Sequence, residues 1–127
     1  NFLLSKLFKE MKKKKINLIK PKFLIMGLTF KENCPDIRNS KVIDIYNELN
    51  QFGLSVDVHD PYASAEEVYN EYGIELSSNI DASYDGIILA VSHNSFAEIL
   101  EKIRITSDPV IFDVKSFWPI SSVDSRL

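Results

Sequence analysis

Apolar residues fall along this chain in two alternating rhythms. Short continuous runs recur at Phe23-Leu-Ile-Met26, Gly86-Ile-Ile-Leu-Ala-Val91 and Pro109-Val-Ile-Phe112. A strand buried on both faces needs such runs, because successive side chains point to opposite sides of a sheet. Leu54, Val56 and Val58 alternate with polar residues and predict a further strand, ended by His59-Asp60-Pro61. Gly73-Ile-Glu-Leu76 predicts a short, weak one. Between the runs the spacing becomes helical. Leu3, Leu4, Leu7, Phe8 and Met11 predict an amphipathic helix over residues 2–14, before Pro21 breaks the pattern. Val42, Ile45, Tyr46 and Leu49 line a second helix, capped by Asn39 or Ser40 and stopped at Gly53. Ser64-Ala-Glu-Glu67 and Ser95-Phe-Ala-Glu98 have capping-box spacing. They open a helix over 64–71 and another whose face is Phe96, Ile99, Leu100 and Ile103. Residues 114–127 read as irregular.

Strands alternating with helices require crossover connections, and these produce a parallel sheet covered on both faces. The expected fold is α/β, a Rossmann-like three-layer arrangement with a five-stranded, mostly parallel sheet and an N-terminal helix. The leading helix occupies residues 1–15 and the α/β body 22–127. Sheets of this kind bind ligands at the carboxyl ends of their strands, near the point where strand order reverses. Residues 28–40, 59–62, 92–95 and 113–118 are therefore the ones that can carry function.

Composition narrows the classes. With 127 residues, 45% hydrophobic and 26% charged, the chain suits one folded domain. Cys34 is its single cysteine, which excludes an internal disulfide and a cysteine-based zinc site. Neither an apolar run near the roughly 20 residues of a membrane span nor a secretory signal is present, so the expected location is cytoplasmic, with no membrane partner. The first residue is Asn1 and not Met, so a longer parent protein is expected. The net charge of −3 hides an asymmetry: residues 1–22 carry eight lysines and one acid, and the remainder is acidic. An acidic body argues against nucleic acid, whose phosphates need a basic face. The Lys12–Lys15 run reads as the solvated last turn of the leading helix.

The first strand exit would open a dinucleotide site with G-x-G-x-x-G, but the chain reads Gly27-Leu-Thr-Phe-Lys-Glu32. Only four glycines exist in all, so this chain is not expected to bind NAD by itself. The same loop holds Lys31, Arg38 and Ser40 near a helix start, a setting that favours anions. An Asp36–Arg38 ion pair pinning a long loop accounts for those residues equally well. Lys115, after the last strand, reaches the same crevice as Lys31, and two converging lysines favour an anion between them. Cys34 reads as inert, since nothing ties a base to it. His59 reads as a turn residue, and His93 as a helix cap, a loop anchor or a ligand contact. Two separated histidines and one cysteine make a metal site unexpected.

Gly27-Leu-Thr-Phe-Lys-Glu-Asn-Cys-Pro-Asp-Ile-Arg-Asn-Ser-Lys-Val42 closely resembles the signature of the C-terminal domain of the UDP-glucose/GDP-mannose dehydrogenase family. The likeness continues in Asp60-Pro61, in Ile88-Leu-Ala-Val-Ser-His93 with Phe96, and in Ile111-Phe-Asp-Val-Lys115 with Trp118. Its wording is most similar to the branch that oxidises UDP-N-acetylhexosamines. The resemblance implies a UDP-binding domain that acts beside an N-terminal NAD-binding domain and a central helical domain, in a homodimer or larger assembly. The full enzymes oxidise a sugar C6 alcohol to a carboxylate for surface polysaccharide precursors. The resemblance places Phe30 and Lys31 against substrate and Lys115 near the nucleotide phosphates, with Arg38 and Ser40 at signature positions. It implies no catalytic residue here, since the family's cysteine motif is absent and Cys34 does not match it. Two rivals are a signalling receiver domain, with Ser92 and Lys115 at suggestive places but no acidic pair after strand one, and a domain kept only for assembly or regulation.

Overall fold

The computed structural model describes residues 5–6, 9–10, 21–29, 31–38, 40–78, 80, 84–97, 99, 109–114, 123 and 125–126. Four strands form a parallel sheet: β1 (Lys22–Met26), β2 (Ser55–His59), β3 (Gly86–Leu89) and β4 (Val110–Asp113). Their order is β2-β1-β3-β4. The apolar runs became the strands with the deepest burial, and every residue of β3 and β4 is buried. Side chains of β1 divide between two cores. Phe23 and Ile25 pack with Leu49, Val58 and Val68, while Leu24 and Met26 pack with Ile87, Phe96 and Ile111.

Helices α1 (Val42–Gln51) and α2 (Ala65–Tyr72) feed the first of these cores through Val42, Leu49 and Val68. The second core is closed by the segment after β3, a 3₁₀ turn over Asn94–Phe96. Among the described residues the two helices thus cover one face of the sheet and the turn packs on the other. Helix α1 ends in a Schellman arrangement: Leu54 N donates to Leu49 O at 3.3 Å and Gly53 N to Asn50 O at 3.0 Å. Gly53 takes the left-handed conformation there (φ +75°). Ser64 caps α2, its Oγ accepting from Glu67 N at 3.3 Å. At the amino edge of the sheet, Lys22 N donates to Asp85 Oδ2 at 2.8 Å. Nearby, Tyr84 Oη donates to Asp57 Oδ2 at 2.8 Å. Burial and then this acceptor push the Tyr84 phenol well above its ordinary value.

Three expectations are corrected. The segment 73–76 is not a strand but one bridge, Val58 to Leu76. The segment opens as the end of a helix and not as extended chain: Gly73 is its left-handed C-cap (φ +71°), with Gly73 N donating to Tyr69 O at 2.9 Å. His59 is the last residue of β2 and not part of a turn. Residues 114–127 are not wholly irregular, since Ser125–Arg126 pair in parallel with Phe112–Asp113 as a two-residue β5. Ser5, Lys6, Lys9 and Glu10 have helical backbone. The rest of the leading helix, with Lys12 to Lys15, lies outside the described residues, as do Asn39, Leu100 and Ile103.

Candidate functional site

Strand order reverses between β1 and β3: the chain goes from β1 to one edge, then returns to the far side of β1. The crevice of an open α/β sheet forms at the carboxyl ends of such a pair. Gly27 leaves β1 with φ +100°, and a Cβ there would lie 2.5 Å from Val91 Cβ and 2.8 Å from Val91 N. Only glycine lets the two strand exits approach this closely.

Beyond Gly27 the backbone is taken over by Asp60, at the exit of β2. Asp60 Oδ2 accepts from Leu28 N at 2.7 Å and from Thr29 N at 3.0 Å. Its Oδ1 accepts from Tyr62 N at 2.8 Å. His93, from the exit of β3, places Nε2 3.0 Å from Asp60 Oδ2, and both side chains are fully buried. Burial pushes the Asp60 carboxyl up. The hydrogen bonds from His93, Leu28, Thr29 and Tyr62 outweigh that and hold it below the ordinary carboxylate range.

The His93 ring sits between the exposed Tyr62, with ring centroids 4.5 Å apart, and the buried Phe96 at 5.3 Å. Asn33 N donates to Nδ1 at 2.8 Å. An N–H aimed at Nδ1 requires a lone pair there, so the ring proton is on Nε2. Nε2 also lies 3.1 Å from Thr29 Oγ1, which in turn donates to Lys31 O at 3.0 Å. Asn33 takes a left-handed φ of 56°, and its Oδ1 accepts from Asn94 N at 2.9 Å. The result is that Thr29 and the turn at residues 31–33 are strapped to the exits of β2 and β3, with Lys31 exposed on that turn.

Both His93 nitrogens are engaged inside the protein, so the Asp60–His93 pair is not a general acid–base dyad facing a substrate. His59 Nδ1 is engaged by Ser77 O, and Cys34 is half-buried. No group of three or more His, Cys, Asp or Glu able to hold a metal exists among the described residues. No helix among them is long and apolar enough to cross a membrane.

The remaining expected residues fall in different places. Arg38 pairs with Asp36, Nε to Oδ1 at 3.0 Å and Nη2 to Oδ2 at 3.1 Å, and this pairing lowers the carboxyl's pKa and raises the guanidinium's. The cleft beside it, of about 410 Å³, is lined by Asp36, Ile37, Arg38, Glu67, Asn70 and Glu71. Three carboxylates there disfavour a phosphate. Ser40 Oγ accepts from Val42 N at 3.3 Å and so ties down the start of α1. Lys31 lines neither this cleft nor the one beside Tyr69. Phe30 and Lys115 lie outside the described residues. Sequence reasoning marked Asp60 and His93 separately and missed that they meet. Thr29 and Asn33 carried no signal of their own.

The Leu28 and Thr29 amides, which would cradle a pyrophosphate in a dinucleotide fold, are already donated to Asp60. The β1 exit therefore does not fit NAD.

Comparison with known proteins agrees with this geometry. Residues 24–119 match the sequence profile of the UDP-glucose/GDP-mannose dehydrogenase family, UDP binding domain. UDP-N-acetyl-D-glucosamine 6-dehydrogenase of Pseudomonas aeruginosa is 44% identical over 131 aligned residues, covering 99% of this chain and 31% of that protein. The Salmonella typhi protein of the same name is 45% identical, with 100% and 31% covered. The chain thus spans about a third of the length of these curated relatives. Among solved structures, UDP-N-acetyl-mannosamine dehydrogenase Cap5O from S. aureus superposes with a TM-score of 0.72 at 21% identity. That match covers 98% of this chain and 29% of Cap5O, and it shows a shared fold. The strand order, the absent dinucleotide glycines and the profile match agree: this chain belongs to the UDP-glucose/GDP-mannose dehydrogenase family and is its UDP-binding domain.

Proposed function

We propose that this chain holds the UDP end of the substrate in an NAD-dependent UDP-sugar 6-dehydrogenase. The observation that carries the reading is Lys31, exposed on a turn that is strapped in place at the β1/β3 switch point. The ammonium attracts anions there and has no carboxylate partner among the described residues, whereas Arg38 is paired with Asp36. Phe30 shapes the pocket and Lys115, two residues past the end of β4, supplies a second cation to the diphosphate. Arg38 and Ser40 serve the site by shaping the loop that leads to α1. The full architecture is a five-stranded sheet preceded by a helix over residues 1–15. The sugar is a UDP-N-acetylhexosamine, following the names of the most similar relatives, and UDP-glucose is the second choice. NAD binds to a domain outside this chain, and the reaction needs that domain and a central helical one. The parent enzyme is a cytoplasmic homodimer or larger assembly that makes surface polysaccharide precursors. Family membership removes the receiver reading.

NMR titration of the chain with UDP, UDP-N-acetylglucosamine, GDP and NAD tests this. Uridine ligands should move the amides of Thr29 to Asn33. Shifts with NAD and none with any uridine ligand refute it. In the full-length enzyme, Lys31→Ala should raise KM for the UDP-sugar about tenfold, the worth of a lost charge-assisted contact. Normal kinetics would leave the chain with a role in assembly alone.

A further inference from the structure

We infer that His93 is a positioning residue for the substrate: it sets the shape of the turn that presents Lys31. The inference rests on the reading of Lys31 given above. Lys31, Glu32 and Asn33 are all exposed, so packing does not define the turn. Asn33 has a left-handed backbone conformation (φ 56°) that non-glycine residues adopt infrequently, and here neighbours hold it. Those neighbours are residues 93 and 94. The His93 Nδ1 lone pair takes Asn33 N, and Asn94 N takes Asn33 Oδ1. At the other end, Thr29 lies under His93 Nε2 and donates its hydroxyl hydrogen to Lys31 O. The one buried ring thus touches both ends of the exposed turn. Asp60 fixes the ring's tautomer by accepting from Nε2, which leaves Nδ1 as the acceptor that Asn33 needs.

The two ring nitrogens can be separated by substitution in the full-length enzyme. His93→Gln retains a donor for Asp60 and removes the acceptor for Asn33. It should fold with a melting temperature near that of the parent. KM for the UDP-sugar should rise about fivefold, one hydrogen bond's worth, with kcat changed by less than about twofold. His93→Asn restores an acceptor near the Nδ1 position, so KM should return toward the parent value although Asp60 loses its donor and the melting temperature falls. Thr29→Val, which cuts the link to Lys31 O, should also raise KM, and it carries the test if His93→Gln does not fold. In a Lys31→Ala background either effect should shrink by more than half, because coupled residues are not additive. Unchanged KM in both variants, or equal rises with and without Lys31, overturns the inference. A silent Lys31→Ala overturns the reading beneath it as well, whereas an effective Lys31→Ala beside a silent His93→Gln overturns this inference alone.

Discussion

Asp60 organises the carboxyl edge of the sheet by accepting from three backbone amides and one imidazole while fully buried. Asp60→Asn leaves the same shape but replaces one acceptor with a donor that faces donors. It should lower stability by about 2–4 kcal/mol in urea unfolding, the cost of unsatisfied buried polar groups. The carboxyl's folded pKa lies below its unfolded one, so the unfolded chain binds more protons in the interval between them. Stability from this group is therefore complete above the ordinary carboxylate range near pH 4 and is lost as pH falls through the lower folded value. Asp60→Asn should flatten that acid limb, and a limb unchanged in slope would show that other carboxylates set it. Gly27→Ala meets two penalties, a left-handed φ and a 2.5 Å approach to Val91. It should cost at least about 2 kcal/mol and broaden or shift resonances at the turn. Of these residues, Gly27, Asp60 and His93 could be marked in the sequence from their places after strands. The hydrogen bonds between them could not, since 31 or more residues separate Thr29 from Asp60 and Asn33 from His93.

At the level of elements, local rules were enough where the signal was strong. The continuous apolar runs became β1, β3 and β4, and the Gly53 and Ser64 signals mark the end of α1 and the start of α2 as expected. Ser64→Ala should cost about 1 kcal/mol, read as a lower urea midpoint with an unchanged slope, because Glu67 N loses its side-chain cap. The rules failed where an element's fate depended on its neighbours. Gly73-Ile-Glu-Leu76 has strand-like composition, but Gly73 is spent as the left-handed C-cap of α2 and Ile74 turns into the core, so Leu76 alone bridges to Val58. Ser125–Arg126 shows no strand signal in its own residues and pairs because β4 offers an open edge.

For the molecule as a whole, β1 and β3 are hydrogen-bonded on both sides and supply both cores. Amide exchange should be slowest at Leu24, Ile25, Ile87 and Ile88 and faster in β2 and β5. Slowest exchange in β5 would contradict the sheet order. The α/β class, the absence of a dinucleotide glycine loop and the family signature over residues 27–42 were all legible in the string of residues. Each depends on side-chain period or on a contiguous motif, and such features survive without coordinates. The string left open whether Arg38 faces a ligand or an acid, what His93 holds, and how the turn bearing Lys31 is kept in shape. Folding answers these by placing the exits of β1, β2 and β3 side by side, so that an aspartate, a histidine, a threonine and an asparagine from three separate stretches share hydrogen bonds. Strand order brings those groups within 3 Å, and spacing along the chain carries no record of it.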